Sequence, residues 1–175
     1  MSRAWVVAGR AGAGKSTLGL ALARATDAVL LDLDTLTNPL LDLLYAGDPA
    51  HWNDVDRRSV VRPARYAALR AVASTQVSLG LDVVLVAPFT AELGGGTEWQ
   101  QLRGMLAPAA PTVVWLHAPA DVLAERVRGR AEPRDAGEQS VVAVVPPRVP
   151  HLAVDATLPT ERQVSQVLGV GTPAT

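Results

Sequence analysis

The sequence contains no cysteine and only one lysine among its 175 residues. Without cysteine there can be no disulfide and no thiolate metal site, which fits a reducing compartment. The apolar runs stay well below the roughly 18 residues that a membrane helix needs, and the N-terminus lacks the apolar core of a signal peptide. A net charge of −1 provides no overall attraction to nucleic acid or to an acidic membrane. These absences predict a cytoplasmic protein without a nucleic-acid or membrane partner, either monomeric or weakly dimeric.

What remains is a composition rich in apolar residues. The apolar fraction is 49%, which is typical of a globular chain rather than a disordered one. The length suits one domain over residues 1–175, long enough to bury a core. Fifteen of the 16 basic residues are arginine, so the one lysine, Lys15, stands against the bias of the whole sequence.

Short, continuous apolar runs alternate with segments of helical pattern. Such runs suit strands that are buried on both faces, and their alternation with helices indicates an α/β three-layer fold. The predicted strands are Ala4–Ala8, Ala28–Leu31, Asp82–Ala87, Thr112–His117 and His151–Asp155. The predicted helices are Lys15–Ala25, Leu36–Tyr45, Pro63–Leu79, Glu98–Leu106, Ala120–Arg130 and Thr160–Leu168. Residues 140–150 suit either a sixth short strand or an apolar connector.

Residues 6–22, VVAGRAGAGKSTLGLAL, run from an apolar segment through a glycine-rich turn into a helical pattern. The turn matches G-x-x-x-x-G-K-[ST], the P-loop signature. In this motif backbone N–H groups surround phosphate oxygens, the lysine reaches the β- and γ-phosphates, and the serine hydroxyl ligates Mg²⁺. An arginine is too long and planar to replace that compact charge, which explains the lone lysine. The predicted nucleotide-binding residues of the loop are Gly9, Gly12, Ala13, Gly14, Lys15, Ser16 and Thr17.

Two aspartates, Asp32 and Asp34, follow the second predicted strand. Ligands of open α/β sheets gather at the carboxyl ends of the strands. Because alternate residues of a strand point the same way, we expect both carboxylates to face one site. One can hold Mg²⁺ or its water, and the other can accept a proton from a substrate hydroxyl.

The GRAGAGKST loop, this Asp-Leu-Asp and an arginine-rich segment after the fourth strand resemble the small P-loop kinases. These are the shikimate- and gluconate-kinase-like and antibiotic-phosphotransferase-like members of the adenylate-kinase-type fold. The resemblance implies a five-stranded parallel sheet in order 2-3-1-4-5, with ATP and Mg²⁺ as co-substrates. It also implies that Asp34 meets the substrate hydroxyl and that Asp32 and Ser16 lie at the metal. The third strand departs from motor ATPases and switch GTPases, since it ends in Phe89 and Thr90 without a Walker-B carboxylate.

The arginine-rich segment, LAERVRGRAEPRDAGE, begins as a helix and breaks at Gly129 and Pro133. The resemblance implies a short lid at about 127–140, in which Arg126 packs on the adenine and Arg130 or Arg134 closes over the phosphates. A lid arginine stabilises charge on the transferred phosphoryl group, and closure excludes water. The alternative is a solvated helix end in which these arginines pair with nearby carboxylates.

The insertion at about 36–70, between the second and third strands, holds the phosphate acceptor in the kinases that this chain resembles. Its basic and aromatic side chains can bind a carboxylate or hydroxyls of a small molecule. The candidates are Arg57, Arg58, Arg62, Arg65 and Tyr66, with Trp52 and Phe89 as an apolar wall. The alternative is an ordinary amphipathic helix whose basic side faces water.

Three functions follow from these patterns. The first is a kinase that moves the γ-phosphate of Mg·ATP to an alcohol group of a small molecule, such as a sugar, a cyclic polyol acid or an antibiotic. Its catalytic residues are predicted to be Lys15, Asp34, Arg130 and Arg134. The second is an ATP-binding regulatory or interaction protein with little or no hydrolysis, and the third is a kinase of nucleotides or nucleotide sugars. A pure binder needs neither Asp34 nor a lid, so these features favour the kinase.

Overall fold

The structure, a computed structural model, describes residues 2–44, 57–130 and 146–169, without the side chains of Arg57, Arg58 and Arg130. The strands are β1 (Ala4–Gly9), β2 (Val29–Asp32), β3 (Val83–Val86), β4 (Pro111–His117) and β5 (Leu152–Asp155). The helices are α1 (Lys15–Thr26), α2 (Leu33–Leu44), α3 (Arg62–Ser78), α4 (Thr97–Leu106), α5 (Ala120–Arg130) and α6 (Thr160–Leu168). A π-helical turn, Arg57–Val61, precedes α3, and a 3₁₀ turn, Glu92–Gly94, follows β3.

The five strands form one parallel sheet in the order β2-β3-β1-β4-β5. This order confirms the predicted fold class. In the central strand, Val6 pairs in register with Leu85 of β3 and with Val113 of β4. In the sheet, β2 and β3 lie to one side of β1, and β4 and β5 lie to the other. The strand order therefore reverses at β1, and the carboxyl end of β1 is the topological switch point, where α/β sheets bind ligands.

Both faces of the sheet are covered, which explains the continuous apolar runs. Val6 belongs to one core cluster, together with Leu69 of α3 and Leu102 of α4. Its neighbour Val7 belongs to the opposite cluster, which includes Leu18 of α1. Each strand residue therefore meets a helix layer whichever way it points, and polar alternation is not needed. The three-layer prediction is confirmed.

The predicted strands and five of the predicted helices agree with the structure to within a residue or two at each end. The difference that matters lies at α2, which begins at Leu33 rather than Leu36. Asp32, the last residue of β2, accepts hydrogen bonds at Oδ1 from the backbone N–H groups of Asp34 (2.9 Å) and Thr35 (3.3 Å). A carboxylate in this position caps a helix N-terminus, so the strand turns directly into the helix.

Residues 140–145 lie outside the part of the chain that the structure describes, so the strand proposed for 140–150 is tested only from 146 onward. Residues 146–150 contain no strand, and Val149 is buried against the core. Among the described residues, no helix combines the length and the apolar character needed to span a membrane.

Candidate active site

The P-loop joins β1 to α1 at the switch point of the sheet. Gly12 approaches the backbone so closely that a Cβ there would lie 2.7 Å from the Leu123 carbonyl oxygen of α5, and its φ of +79° disfavours other residues. The Lys15 ammonium donates to the carbonyl oxygen of Arg10 at 2.9 Å. Ser16 and Thr17 are exposed on the first turn of α1. The loop therefore has the tight, glycine-dependent backbone turn that phosphate binding requires and accessible hydroxyls that could ligate Mg²⁺.

A cavity of about 450 Å³ opens beside the P-loop. Gly12, Ala13, Gly14 and Thr17 line one side, and the turn after β5 lines another, with Ala156, Leu158 and Pro159. Its size is within the range of small-molecule sites.

The turn after β5 is held by Asp155, whose Oδ1 accepts hydrogen bonds from the Thr157 amide (2.8 Å) and hydroxyl (2.7 Å). These two donors lower the pKa of Asp155 despite an opposing desolvation.

Arg126 lies in the wall of this cavity, and its contact with the adenine remains a prediction. Its Nη1 donates to the carbonyl oxygen of Ala156 at 3.0 Å, so the guanidinium bridges α5 and the turn after β5. Of the predicted lid arginines, Arg130 is the last residue of α5 and its side chain is not described, while Arg134 lies outside the described residues. The lid at about 127–140 therefore remains a prediction.

We expect Arg126→Ala to raise the KM for ATP by about 5–30-fold through the lost stacking surface, with a smaller effect on turnover. Steady-state kinetics with ATP as the varied substrate measures this. Arg128→Ala is the matched control, because Arg128 is exposed on the same helix and does not line the cavity. Equal effects of the two variants would contradict a specific role for Arg126.

The two aspartates occupy different environments, so alternation along a strand does not relate their carboxylates, and a shared site for both remains a prediction. Because α2 starts at Leu33, Asp34 is a helical residue and not part of the strand. Asp32 is 6% exposed, whereas the side chain of Asp34 is 69% exposed. Asp32 is thus fixed at the helix cap, and Asp34 stands in the open at the carboxyl edge of the sheet.

Asp34 forms an ion pair with Arg65 of α3, between its Oδ1 and the arginine Nη2. The same guanidinium donates from Nε to the Thr37 hydroxyl at 2.7 Å and from Nη2 to the Asn38 side-chain oxygen at 2.9 Å. These two neutral partners hold Arg65 independently of Asp34. The arginine therefore orients one carboxylate oxygen of Asp34, and its contacts leave the other for a ligand. The sequence offers no local signal for this pair, because 31 residues separate its members.

The two predicted metal ligands, Ser16 and Asp32, have the donor chemistry that fits Mg²⁺. This ion is usually held by one or two protein oxygens and keeps several waters. Ser16 offers an exposed hydroxyl, and Asp32 offers a carboxylate that accepts the two capping hydrogen bonds through Oδ1. The described residues contain no group of three or more His, Cys, Asp or Glu that could form an all-protein metal site. Ser16 and Asp32 are the predicted residues that would hold the ion beside the nucleotide, and this role remains a prediction.

Asp32→Asn separates this metal role from the capping role. Asparagine caps a helix about as well as aspartate, so we expect the variant to fold with α2 intact. The lost charge should weaken nucleotide binding about 10–100-fold in the presence of Mg²⁺. Nucleotide titrations with Mg²⁺ and with EDTA measure the difference. A loss of the same size in EDTA would assign Asp32 to the fold instead of the metal.

The remaining predicted acceptor residues divide between the surface and the core. Tyr66 is 4% exposed and Phe89 0%, and the two rings meet edge to face at 5.7 Å. The Tyr66 hydroxyl accepts a hydrogen bond from the Phe89 N–H at 3.0 Å. Both rings are buried in the core instead of lining an exposed surface. Direct contact of either ring with a substrate therefore remains a prediction.

Arg62 is partly exposed and packs against the Tyr66 ring of this pair. Its guanidinium carbon lies 4.7 Å from the centre of the Tyr66 ring, and its Nη2 donates to the Thr90 hydroxyl at 3.0 Å. The side chains of Arg57 and Arg58 are not described, and Trp52 lies outside the described residues. Within the described part of the chain, no carboxylate pairs with Arg62.

Comparison with known proteins agrees with this geometry. The family model AAA_33, described as an AAA domain, matches residues 5–146. No curated protein matches the sequence. Among solved structures, a candidate kinase from Chloroflexus aurantiacus is 25% identical, with a TM-score of 0.71 and coverage of 98% of each chain.

Two further structures show the same fold at lower identity. A gluconokinase from Sinorhizobium meliloti is 24% identical, with a TM-score of 0.62 over 96% of this chain and 90% of the other. The Mycobacterium tuberculosis APS kinase CysC, in complex with AMPPNP and APS, is 17% identical, with a TM-score of 0.63 over 96% of each chain. A P-loop kinase fold is common to these similar structures and to this chain.

Proposed function

Because the chain belongs to the AAA_33 family of AAA domains, with a complete P-loop at the switch point, we propose that it transfers the γ-phosphate of Mg·ATP to a hydroxyl of a small molecule. The observation that carries the proposal is Asp34, an exposed and oriented carboxylate at the carboxyl edge of the sheet. β3 lies between β1 and β2, so about 10 Å separates the strands that lead to the P-loop and to the aspartates. An acceptor hydroxyl fits between them.

In the proposed reaction, one oxygen of Asp34 accepts the proton of the acceptor hydroxyl while Arg65 holds the other. The hydroxyl oxygen forms a bond to the γ-phosphorus, and the bond from that phosphorus to the β–γ bridging oxygen breaks, which releases ADP. Lys15 and the N–H groups of the loop stabilise the charge on the phosphoryl oxygens. Mg²⁺, when bound, neutralises the charge that develops on the β- and γ-phosphates.

Arg62 supports an acceptor that carries an acidic group. Its positive charge has a hydroxyl and a ring face as neighbours and no carboxylate partner among the described residues. A guanidinium in this state can bind a carboxylate through two parallel hydrogen bonds. A sugar acid or a cyclic polyol acid combines such a group with the hydroxyl that Asp34 requires. The similar gluconokinase structure agrees with this class of acceptor.

The proposal is tested by an ATP-consumption screen against sugar acids, sugars, polyols, hydroxylated antibiotics, nucleosides and APS. We expect a sugar acid or polyol acid to stimulate ADP formation well above the rate with ATP alone. Stimulation by a nucleoside or by APS would instead make the chain a nucleotide-type kinase. ATP binding with no stimulation by any compound would favour a regulatory binding protein.

A further inference from the structure

Glu92 is a buried carboxylate whose charge has little compensation. It begins the 3₁₀ turn after β3 and is 3% exposed. Oε1 lies 3.8 Å from Nη1 of Arg70, beyond the range of a direct hydrogen bond. Oε2 is enclosed and has no hydrogen-bond partner among the residues that the structure describes. Removing a carboxylate from water without full pairing costs stability, so an unsatisfied group of this kind needs an explanation.

The fold gains little from this charge. Arg70 is partly exposed and can be solvated without Glu92. Burial, and next the negative charge of Glu92, raise the pKa of the neighbouring Tyr66 hydroxyl, while the Phe89 N–H and Arg62 lower it. An apolar side chain of similar volume would fill the same space without the desolvation cost. The carboxylate is therefore better explained by binding than by packing.

Glu92 belongs to the side of the molecule where the acceptor is proposed to bind. One face of α3 contacts the segment after β3 at three positions spaced four residues apart. Arg62 contacts Thr90, Tyr66 contacts Phe89, and Arg70 contacts Glu92. The adjacent Arg65 on the same helix contacts Asp34. Asp34, the predicted base, and Glu92 thus both contact side chains of α3. They follow β2 and β3, which are neighbouring strands of the sheet.

We propose that Glu92 is a specificity-determining residue, whose Oε2 accepts a hydrogen bond from a second donor of the acceptor, a hydroxyl or an amine other than the group that is phosphorylated. This inference rests on the proposed function and narrows it to acceptors with at least two donor groups. Oε2 is enclosed in this structure, so the donor would reach it only after the turn moves. Hydrogen bonds from the Leu93 N–H to the Phe89 carbonyl oxygen (2.9 Å) and from the Arg148 N–H to the Leu93 carbonyl oxygen (2.8 Å) oppose such a movement. Gly94 ends the turn and Gly95 and Gly96 follow it, and an added Cβ at any of the three would meet no atom closer than 4.0 Å.

The test uses the full chain with Glu92→Met, which removes the acceptor atoms and nearly conserves volume, and Glu92→Gln, which retains a carbonyl oxygen. Glu98→Gln is the control, because Glu98 is an exposed acid on the same segment. Three quantities are measured for each protein: the unfolding temperature without ligand, the affinity for Mg·AMPPNP, and kcat/KM for the best acceptor of the screen and for its deoxy analogues.

We expect Glu92→Met to unfold at the same temperature as wild type or up to about 5 °C higher, since a desolvated charge is lost. Affinity for Mg·AMPPNP should stay within about two-fold. The kcat/KM for the full acceptor should fall about 10–100-fold, mostly through KM, because a site built to bind a donor discriminates strongly by it. With the deoxy analogue that lacks this donor, wild type and Glu92→Met should be equal. Glu92→Gln should recover part of the loss.

Two results would overturn the inference. The first is an unaltered kcat/KM of Glu92→Met for every acceptor. The second is a lower unfolding temperature together with an equal loss on the acceptor and all its deoxy analogues, which would make Glu92 a structural residue. If wild type phosphorylates no compound, the proposed function fails, and this inference, which rests on it, fails with it. The two results above arise only with an active wild type, so the two failures are distinguishable.

Discussion

Lys15→Ala is expected to fold normally and to lose phosphoryl transfer by at least about 10³-fold. The hydrogen bond of the ammonium to the Arg10 carbonyl oxygen lies in a half-buried loop, and the loss of such a bond costs about 0.5–1.5 kcal/mol. The variant keeps the backbone N–H donors of the P-loop and loses the charge that stabilises the transferring phosphoryl group. Initial rates of acceptor-dependent ADP formation measure the loss, and circular dichroism verifies the fold.

Lys15→Arg is the informative companion to this variant. It retains the positive charge but replaces a compact ammonium with a longer, planar group. We expect it to stay severely impaired, because a planar guanidinium cannot take the place of the compact ammonium at the β- and γ-phosphates. Turnover near the wild-type rate in either folded variant would contradict the assignment of the P-loop as the phosphate site.

Asp34→Asn is expected to lose transfer by about 10²–10⁴-fold while it binds Mg·ATP within a few-fold of wild type. The exposed side chain of Asp34 contributes little to folding, and asparagine retains an oxygen for the Arg65 contact. What the variant lacks is a carboxylate that can take the proton of the acceptor. Single-turnover rates separate this effect from nucleotide binding.

Asp42→Asn provides the matched control for Asp34→Asn. Asp42 is an exposed aspartate on the same helix and has no assigned role. It should behave as wild type in both binding and transfer. If Asp34→Asn also transfers phosphate at the wild-type rate, Asp34 is not the general base, and another group must accept the proton.

The sheet and the P-loop could be predicted because their signals are local. The run AWVVAG is apolar on both faces, and the glycine spacing that precedes Lys15 fixes a strand–loop–helix unit within about 20 residues. The strand order came from the family resemblance and not from any pattern in the strands themselves. The structure confirms that order.

The details of the acceptor side could not be predicted in the same way. The Asp-Leu-Asp segment is predicted to be the end of a strand whose two aspartates point the same way. Instead, Asp32 caps α2 directly after β2, so the two aspartates lie in different environments. The sequence suggests Tyr66 as a residue that binds a carboxylate or hydroxyls and Phe89 as part of an apolar wall, yet packing across 23 residues buries both. Glu92 runs against the rule that charged residues stay outside, and only the three-dimensional packing reveals that it is enclosed.

The measurement that tests the central claim most directly is ³¹P NMR of a reaction of wild-type protein, Mg·ATP and the best acceptor of the screen. A phosphotransferase moves the γ-phosphoryl group to carbon-bound oxygen, so the account predicts a new phosphomonoester signal that grows in step with ADP. With Asp34→Asn the signal should be about 10²–10⁴-fold slower to appear. Growth of inorganic phosphate instead, at a rate that does not depend on the acceptor, would contradict the account and make the chain an ATPase.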